Sequence, residues 1–172
     1  DGFIRDSLEK INRGKSLRQD NVTILNRHLL MNKMPLDAHI AAIEVVDMDG
    51  KVVASTNETM IGRNVSDQEI YKRTIHAAYN NPYVSQPHHF TYLNAKSIGI
   101  SAPLTSRRGS ETIGVLINYY YAAVLSAFVT NSPGMGESGE MLLVRRDGDN
   151  IEFLTPLRYA PGDSLTVPMD SA

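Results

Sequence analysis

Residues 40–55 read Ile40-Ala41-Ala42-Ile43-Glu44-Val45-Val46-Asp47-Met48-Asp49-Gly50-Lys51-Val52-Val53-Ala54-Ser55. Two short runs, Ile40 to Val46 and Lys51 to Ser55, flank Asp47-Met48-Asp49-Gly50. The Asp-Gly pair supplies the positive backbone angles of a tight hairpin turn. The stretch therefore predicts two antiparallel strands, and the rest of the chain has to be arranged around them.

Upstream, apolar positions run Ile4, Leu8, Ile11, then Val22, Leu25 and Leu29 in one register. Alternating spacings of four and three are those of a long amphipathic helix. Lys15 and Arg18 occupy the two middle places, with Gly14 beside them, and Pro35 ends the pattern. A seam interrupted by polar residues suits either a dimer whose helices shift or a helix lying on its own domain. Residues 1–36 are thus expected to form a long N-terminal stalk helix. The chain opens at Asp1-Gly2-Phe3 already in helical pattern, so a preceding segment is expected, and a membrane span would suit that place.

Downstream, Val65-Ser66-Asp67-Gln68-Glu69-Ile70 predicts a helix start: Ser66 as cap, Glu69 closing a capping box, Val65 stapled to Ile70. This helix would carry Ile70, Tyr71, Thr74, Ile75, Ala78 and Tyr79 on one face and end at Asn80-Asn81-Pro82. Three strands are then expected: Tyr83 to Ser85 extending toward His89 to Leu93, Ser97 to Leu104, and Thr112 to Tyr121. The loop from Thr105 to Glu111 makes the last two a hairpin. Apolar Ala122 to Val129 reads as a short closing helix. Antiparallel strands with helices set to one side define an α+β domain.

Ser132-Pro133-Gly134-Met135-Gly136 breaks the composition and reads as a linker over 131–136. Beyond it, Met141 to Arg145 and Ile151 to Leu154 flank Asp147-Gly148-Asp149-Asn150, repeating the pattern of residues 40–55. The echo suggests tandem copies of one fold. The expected organisation is a complete module over 37–130 and an incomplete one over 137–172.

Bulk properties exclude several functions. The formal charge of -2 and pI near 6.2 lack the basic footprint of a nucleic-acid binder. With no cysteine, disulfides, thiolate metal sites and cysteine nucleophiles are ruled out. No apolar run reaches the roughly 18 to 20 residues of a membrane span. Ser101 lies in Ile-Ser-Ala-Pro rather than a nucleophile elbow, and neither a P-loop nor a paired-carboxylate pattern appears, so catalysis by this chain is not expected. The adjacent pair His88-His89 invites a metal reading, but neighbours on a strand point to opposite faces. No cofactor is expected. One inward histidine as a hydrogen-bonding or pH-sensitive pocket group is favoured instead.

Taken in order, the long N-terminal helix, Val45-Val46-Asp47-Met48-Asp49-Gly50-Lys51-Val52-Val53-Ala54-Ser55-Thr56, Ile61-Gly62-Arg63-Asn64-Val65-Ser66-Asp67, Tyr83-Val84-Ser85, Ile100-Ser101-Ala102-Pro103-Leu104 and Ile113-Gly114-Val115-Leu116 resemble the tandem Cache (PAS-like) sensor domains of histidine kinases, diguanylate cyclases and chemoreceptors. The run from Gly136 to Gly148 resembles the opening of a second, membrane-proximal module. The resemblance implies a PAS-like antiparallel sheet in a periplasmic or extracellular domain of a membrane-anchored receptor. Such a domain binds a small molecule and signals through helices to a cytoplasmic output domain, most readily a histidine kinase. A homodimer is expected in the full-length receptor. The competing expectation is a ligand-free dimerisation or protein-interaction module, for example of a diguanylate cyclase.

In such domains the pocket lies between the central sheet and the segment holding the capped helix. The site residues so implied are Tyr71 on the helix, Tyr83, Ser85 and His89 after it, and Ser101, Tyr119 and Tyr121 on the strands. Tyrosine and serine offer neutral hydrogen bonds on apolar walls, and the alternative for each tyrosine is simple packing with a wet tip. Members that bind amino acids carry an Arg, a Trp-Tyr pair and a late Asp; the matching places here hold Gln68, Ile70-Tyr71 and Tyr119. Without the Arg and the Asp, a zwitterion loses its charge-assisted bonds, so binding of amino acids in that mode is not expected.

Overall fold

The computed structural model describes residues 2–14, 18–78, 81–107, 109–125, 139, 141–147, 149–153 and 166–168. The chain divides into two compact units, residues 1–121 and 122–172.

The first unit is built on an antiparallel sheet. Strand β1 (Ile40–Val46) pairs with β2 (Val52–Ser55) across the Asp-Gly turn, with Val45 opposite Ala54. Gly50 has φ +76, and a Cβ there would lie 2.5 Å from Ser66 Cβ, so the turn needs glycine twice over. Asp47 closes the turn by accepting from the backbone N–H of Asp49 and of Lys51. The other edge of β1 pairs with β6 (Thr112–Tyr121), which forms the expected hairpin with β5 (Ala95–Thr105). Two short strands, β3 (Tyr83–Val84) and β4 (His88–Phe90), both pair with β5, giving the order β2-β1-β6-β5-β3 with β4 beside β3 on the same edge. The single run expected from Tyr83 to Leu93 is thus broken. Pro87 has no N–H for a ladder, and Thr91–Leu93 coil into a 3-10 turn that ends in left-handed Asn94.

Residues alternate across β1 and β6, so the sheet has two buried faces. Ile43, Val45, Leu116 and Tyr120 point to one; Ala42, Val46, Val115, Ile117 and Tyr119 point to the other.

The first face is covered by helices, but not by the single long helix that the apolar register predicts. Helix α1 (Gly2–Arg13) and helix α2 (Arg18–His28) are separate, and the Phe3 and His28 rings lie 4.2 Å apart. In one straight helix these residues would be separated by about 38 Å. The chain therefore reverses between α1 and α2, where the apolar stripe fails. The stripe itself is real: Ile4, Leu8, Ile11, Leu25 and Leu29 all bury in one cluster against Ile43, Val45 and Val53. Folding back lets both halves of the stripe use the same sheet face, which is the own-domain alternative for its interrupted seam. The N-terminal segment is accordingly part of the first unit. Helix α2 runs on through a π turn (Leu29–Lys33) into a 3-10 turn containing Pro35.

On the second face sits α3 (Glu69–Ile75), which begins two residues later than expected and stops sooner. The capping box does not form. Gln68 is the cap residue, with no side-chain bond, while the Ser66 backbone N–H is taken by Asn64 Oδ1 in the turn facing Gly50. At the other end the helix gives way at His76, and Ala78 lies beyond it. Tyr79 and Asn80 lie outside the described residues. Val65, Ile70, Tyr71 and Ile75 bury into the second core cluster.

The second unit also contains a pair of strands, with bounds other than the expected Met141 to Arg145 and Ile151 to Leu154: Met141 to Leu143 are not strand, and Asp147 and Asn150 are. Strand β7 (Val144–Asp147) pairs with β8 (Asn150–Phe153), and β9 (Thr166–Pro168) pairs with β8 to make a three-stranded sheet. Of the expected closing helix, residues 123–125 are helical. The expected linker at 131–136 falls outside the described residues. The division between units at Tyr121 and Ala122 precedes it. Among the described residues no helix is long and apolar enough to cross a membrane.

Candidate functional site

A cleft of about 430 Å³ opens on the second face of the sheet, where the start of α3 meets the β3–β4 edge. Its walls are Gln68, Glu69 and Ile70 from α3, Tyr83, Ser85 and Gln86 from β3 and the residues after it, and His88 and Phe90 from β4. The volume suits a small organic molecule. The mixture of apolar floor and a few polar groups is also typical of such sites.

Local structure explains why these groups converge. Gly99 on β5 has no side chain, and a Cβ there would lie 2.3 Å from Ile70 Cδ1, 3.3 Å from Ser85 Oγ and 3.4 Å from Tyr119 Cε1. Glycine thus lets α3 and the residue after β3 close over the sheet. Ser85 is held twice: its hydroxyl accepts from the Gly99 N–H at 2.8 Å and donates to the Gln86 carbonyl at 3.0 Å. It therefore shapes the cleft more than it reaches into it. On β4, side chains alternate: His88 and Phe90 line the cleft, with their rings edge-on at 5.2 Å.

Behind the floor lies a buried polar cluster. Phe90 packs edge-on against Tyr119 at 4.9 Å, and Tyr92 packs against both, 5.7 Å from Phe90 and 6.0 Å from Tyr119. The Tyr119 hydroxyl donates to Glu44 Oε2 over a long 3.4 Å. Glu44 is fully buried, and among the described residues neither its Oε1 nor the Tyr92 hydroxyl has a hydrogen-bond partner. Removal from water pushes the Glu44 carboxyl up to about 7, with the Tyr119 bond opposing the rise only in part. Both tyrosine hydroxyls are pushed up as well, first by burial and then by the neighbouring carboxylate.

The seven expected site residues separate into groups. Tyr83 and Ser85 line the cleft. His89 is exposed and does not; its neighbour His88 does, because the strand places the two on opposite faces. Tyr71 is buried and donates its hydroxyl to the backbone carbonyls of Asp47 and Met48, fixing α3 to the β1–β2 turn. Ser101 is buried and shares a hydrogen bond with Thr74, fixing α3 to β5. Tyr119 belongs to the buried cluster, and Tyr121 is at the exposed end of β6, opposite Ser97. The lining is therefore less rich in tyrosine than expected: Tyr83 is the one tyrosine among the lining residues.

Glu44 escaped the sequence reading although its signal was present. It is the one charged residue in the run from Ile40 to Val46, and alternation assigns it to a buried face. Gln68, where an amino-acid binder would carry Arg, does stand at the cleft.

A smaller groove of about 240 Å³ on the other face is lined by Ile4, Ile40, Ile43 and Leu116 together with Lys33 and Asp37. Those apolar side chains belong to the helix–sheet core, so the groove is part of that packing.

No family model matches the chain, and no curated protein does. Solved structures do. The sensor domain of the Vibrio cholerae histidine kinase DctB is similar with a TM-score of 0.58 at 14% identity, over 98% of this chain and 78% of that one. The ligand-binding domain of the Pseudomonas fluorescens chemoreceptor CtaA, solved with L-serine, has a TM-score of 0.61 at 13% identity, over 94% and 65%. The ligand-binding domain of the Campylobacter jejuni chemoreceptor Tlp3, solved with 4-methylisoleucine, has a TM-score of 0.54 at 13% identity, over 99% and 82%. The chain thus spans between about two thirds and four fifths of the length of these structures. Its α+β architecture, an antiparallel sheet with an N-terminal helix, is that of Cache-like, PAS-like sensor domains of histidine kinases and chemoreceptors.

Proposed function

We propose that this chain, folded as those sensor domains are, is itself the extracytoplasmic ligand-sensing part of a transmembrane receptor, a sensor histidine kinase. The observation that carries the proposal is the cleft between α3 and the β3–β4 edge, about 430 Å³ with Ile70 and Phe90 as apolar wall and Gln68, Tyr83 and His88 as polar groups. Such a cavity takes a small molecule whole, and its walls belong to two short edge strands and a helix start. These are elements whose positions a ligand can bias. The membrane-anchored parent, its output domain and its dimerisation belong to the same proposal.

Gln68 cannot grip a carboxylate as Arg does, and Glu69, the carboxylate in the lining, is exposed and already paired with Arg73 at 3.3 Å. Amino acids are therefore not the ligands of this cleft in the mode of the family. Micromolar binding of an amino acid in calorimetry, abolished by Gln68→Ala, would refute this.

The second reading is a dimerisation or interaction module, favoured by the apolar side chains that α1, α2 and the segment after α2 leave outside: Phe3, Ile24, Met31 and Leu36. Sedimentation combined with a thermal-shift screen of small organic acids, amines and nucleobases separates the two. A saturable shift lost in Tyr83→Ala supports sensing. A dimer that no compound stabilises supports the interaction module.

A further inference from the structure

Glu44 is an expensive residue to keep. It stands alone in an apolar strand, fully buried, with one long hydrogen bond and one carboxylate oxygen unpartnered among the described residues. Burying a carboxylate without a partner is strongly unfavourable, and an apolar residue of similar volume would cost less. The Tyr92 hydroxyl beside it is buried and unpartnered too. Tyr119 and Tyr92 are the polar aromatic neighbours of Glu44, and Phe90 packs on both rings, the three tilted by 58° to 87° to one another. A buried carboxylate beside aromatic rings offers a cation both charge and ring quadrupoles.

This cluster adjoins the cleft. Phe90 lines the cleft and packs on Tyr119, and Ile70 and Ser85, which also line the cleft, share with Tyr119 the space over Gly99. Phe90 and Tyr92 are carried by a three-residue strand and the 3-10 turn after it, so their displacement disturbs little of the sheet.

We propose that the Glu44 carboxylate, beside Tyr92 and Tyr119 on which Phe90 packs, is the counter-ion for the ammonium group of a ligand that enters through the cleft. The inference rests on the sensing role of that cleft and names its ligand class: a primary amine with an apolar body and no carboxylate, since Gln68 offers no grip on one. The groups facing Glu44 are Tyr119 from β6 and Tyr92 from the turn after β4, while β2 sets the buried Ser55 directly opposite it, its hydroxyl accepting from the Asn57 N–H, and α3 presents Ile70, Tyr71, Thr74 and Ile75 to this core. No basic group contributes to the state of the carboxyl. An arriving ammonium would be its first positive partner and would ionise it, releasing its proton to solvent.

The test is calorimetry of the full chain with 2-phenylethylamine and n-butylamine, each beside its matched alcohol and carboxylic acid, between about pH 6 and pH 8. The amines keep their charge over that range. Binding that releases one proton from a carboxyl titrating near 7 strengthens about tenfold across it. The expected result is that tenfold rise for an amine, weaker and pH-independent binding of its alcohol and acid, and loss of at least about tenfold in amine affinity in Glu44→Gln. Binding of the matched alcohol by Glu44→Gln as tightly as by the native chain guards against misfolding of that variant. Alcohol or acid binding as tightly as amine, or amine binding indifferent to Glu44→Gln, overturns the inference and leaves the sensing role standing. If none of these probes binds while another compound class stabilises the chain, the inference again falls alone. If nothing binds at all, the sensing role falls with it.

Discussion

Glu44 is where a single residue weighs most on the behaviour of the molecule. An unfolded glutamate titrates near 4.5, and in the folded chain the carboxyl is pushed up to about 7 because burial disfavours its charge. The folded state then holds a proton that the unfolded state has lost between those values, so stability present below about pH 4.5 is lost as pH rises through 7. The loss is about 3 kcal/mol. Denaturant unfolding of the native chain and of Glu44→Gln over this range should show their difference in stability changing by about that amount, the variant being insensitive. Parallel profiles would mean that the carboxyl is solvated in the folded state. The residue was legible as an anomaly in Ile40 to Val46, but its consequence was not, because partners such as Tyr92 and Tyr119 are 48 and 75 positions away in the chain. Tyr71 and Ser101 misled for the opposite reason: residues able to bind a ligand also bind backbone and neighbouring side chains, and contacts alone tell the two uses apart.

At the scale of elements, local signals were read correctly wherever the turn chemistry decided the outcome. Asp47 to Gly50 and the loop before Thr112 lie where the residues demand. Gly50→Ala should cost about 2 kcal/mol or more, since it meets both a positive φ and the Ser66 backbone. Ser66→Ala should cost well under about 1 kcal/mol, as no cap bond is lost. Thermal unfolding of the two variants decides between this turn and the capping box that the sequence advertises. The long helix was misread because periodicity is blind to chain reversal: a stripe continued after a fold looks like a stripe continued straight on. The chain has no cysteine of its own, so Phe3→Cys with His28→Cys gives a clean distance test. A short flexible bis-maleimide should bridge these two positions within one chain, whereas a straight helix would hold them about 38 Å apart and leave them unbridged.

At the scale of the molecule, the order of elements, the α+β class and the repeated strand–turn–strand pattern were all accessible from residues, because each rests on local patterning. The position of the cleft was only partly so. Its walls come from α3 and the β3–β4 edge, as the resemblance implied, but which side chains turn inward depends on strand breaks at Pro87 and Asn94 and on the space left by Gly99. That is why His88 lines the cleft and His89 does not. The central claim is that this cleft takes a small molecule, and it is tested most directly by titrating the isotopically labelled chain with the strongest stabiliser from a compound screen and following backbone amide shifts. Saturable shifts concentrated at Gln68 to Ile70, Tyr83 to Gln86 and His88 to Phe90 are the expected result. Shifts centred on α1 and α2 instead, or no shift with any compound, would contradict it.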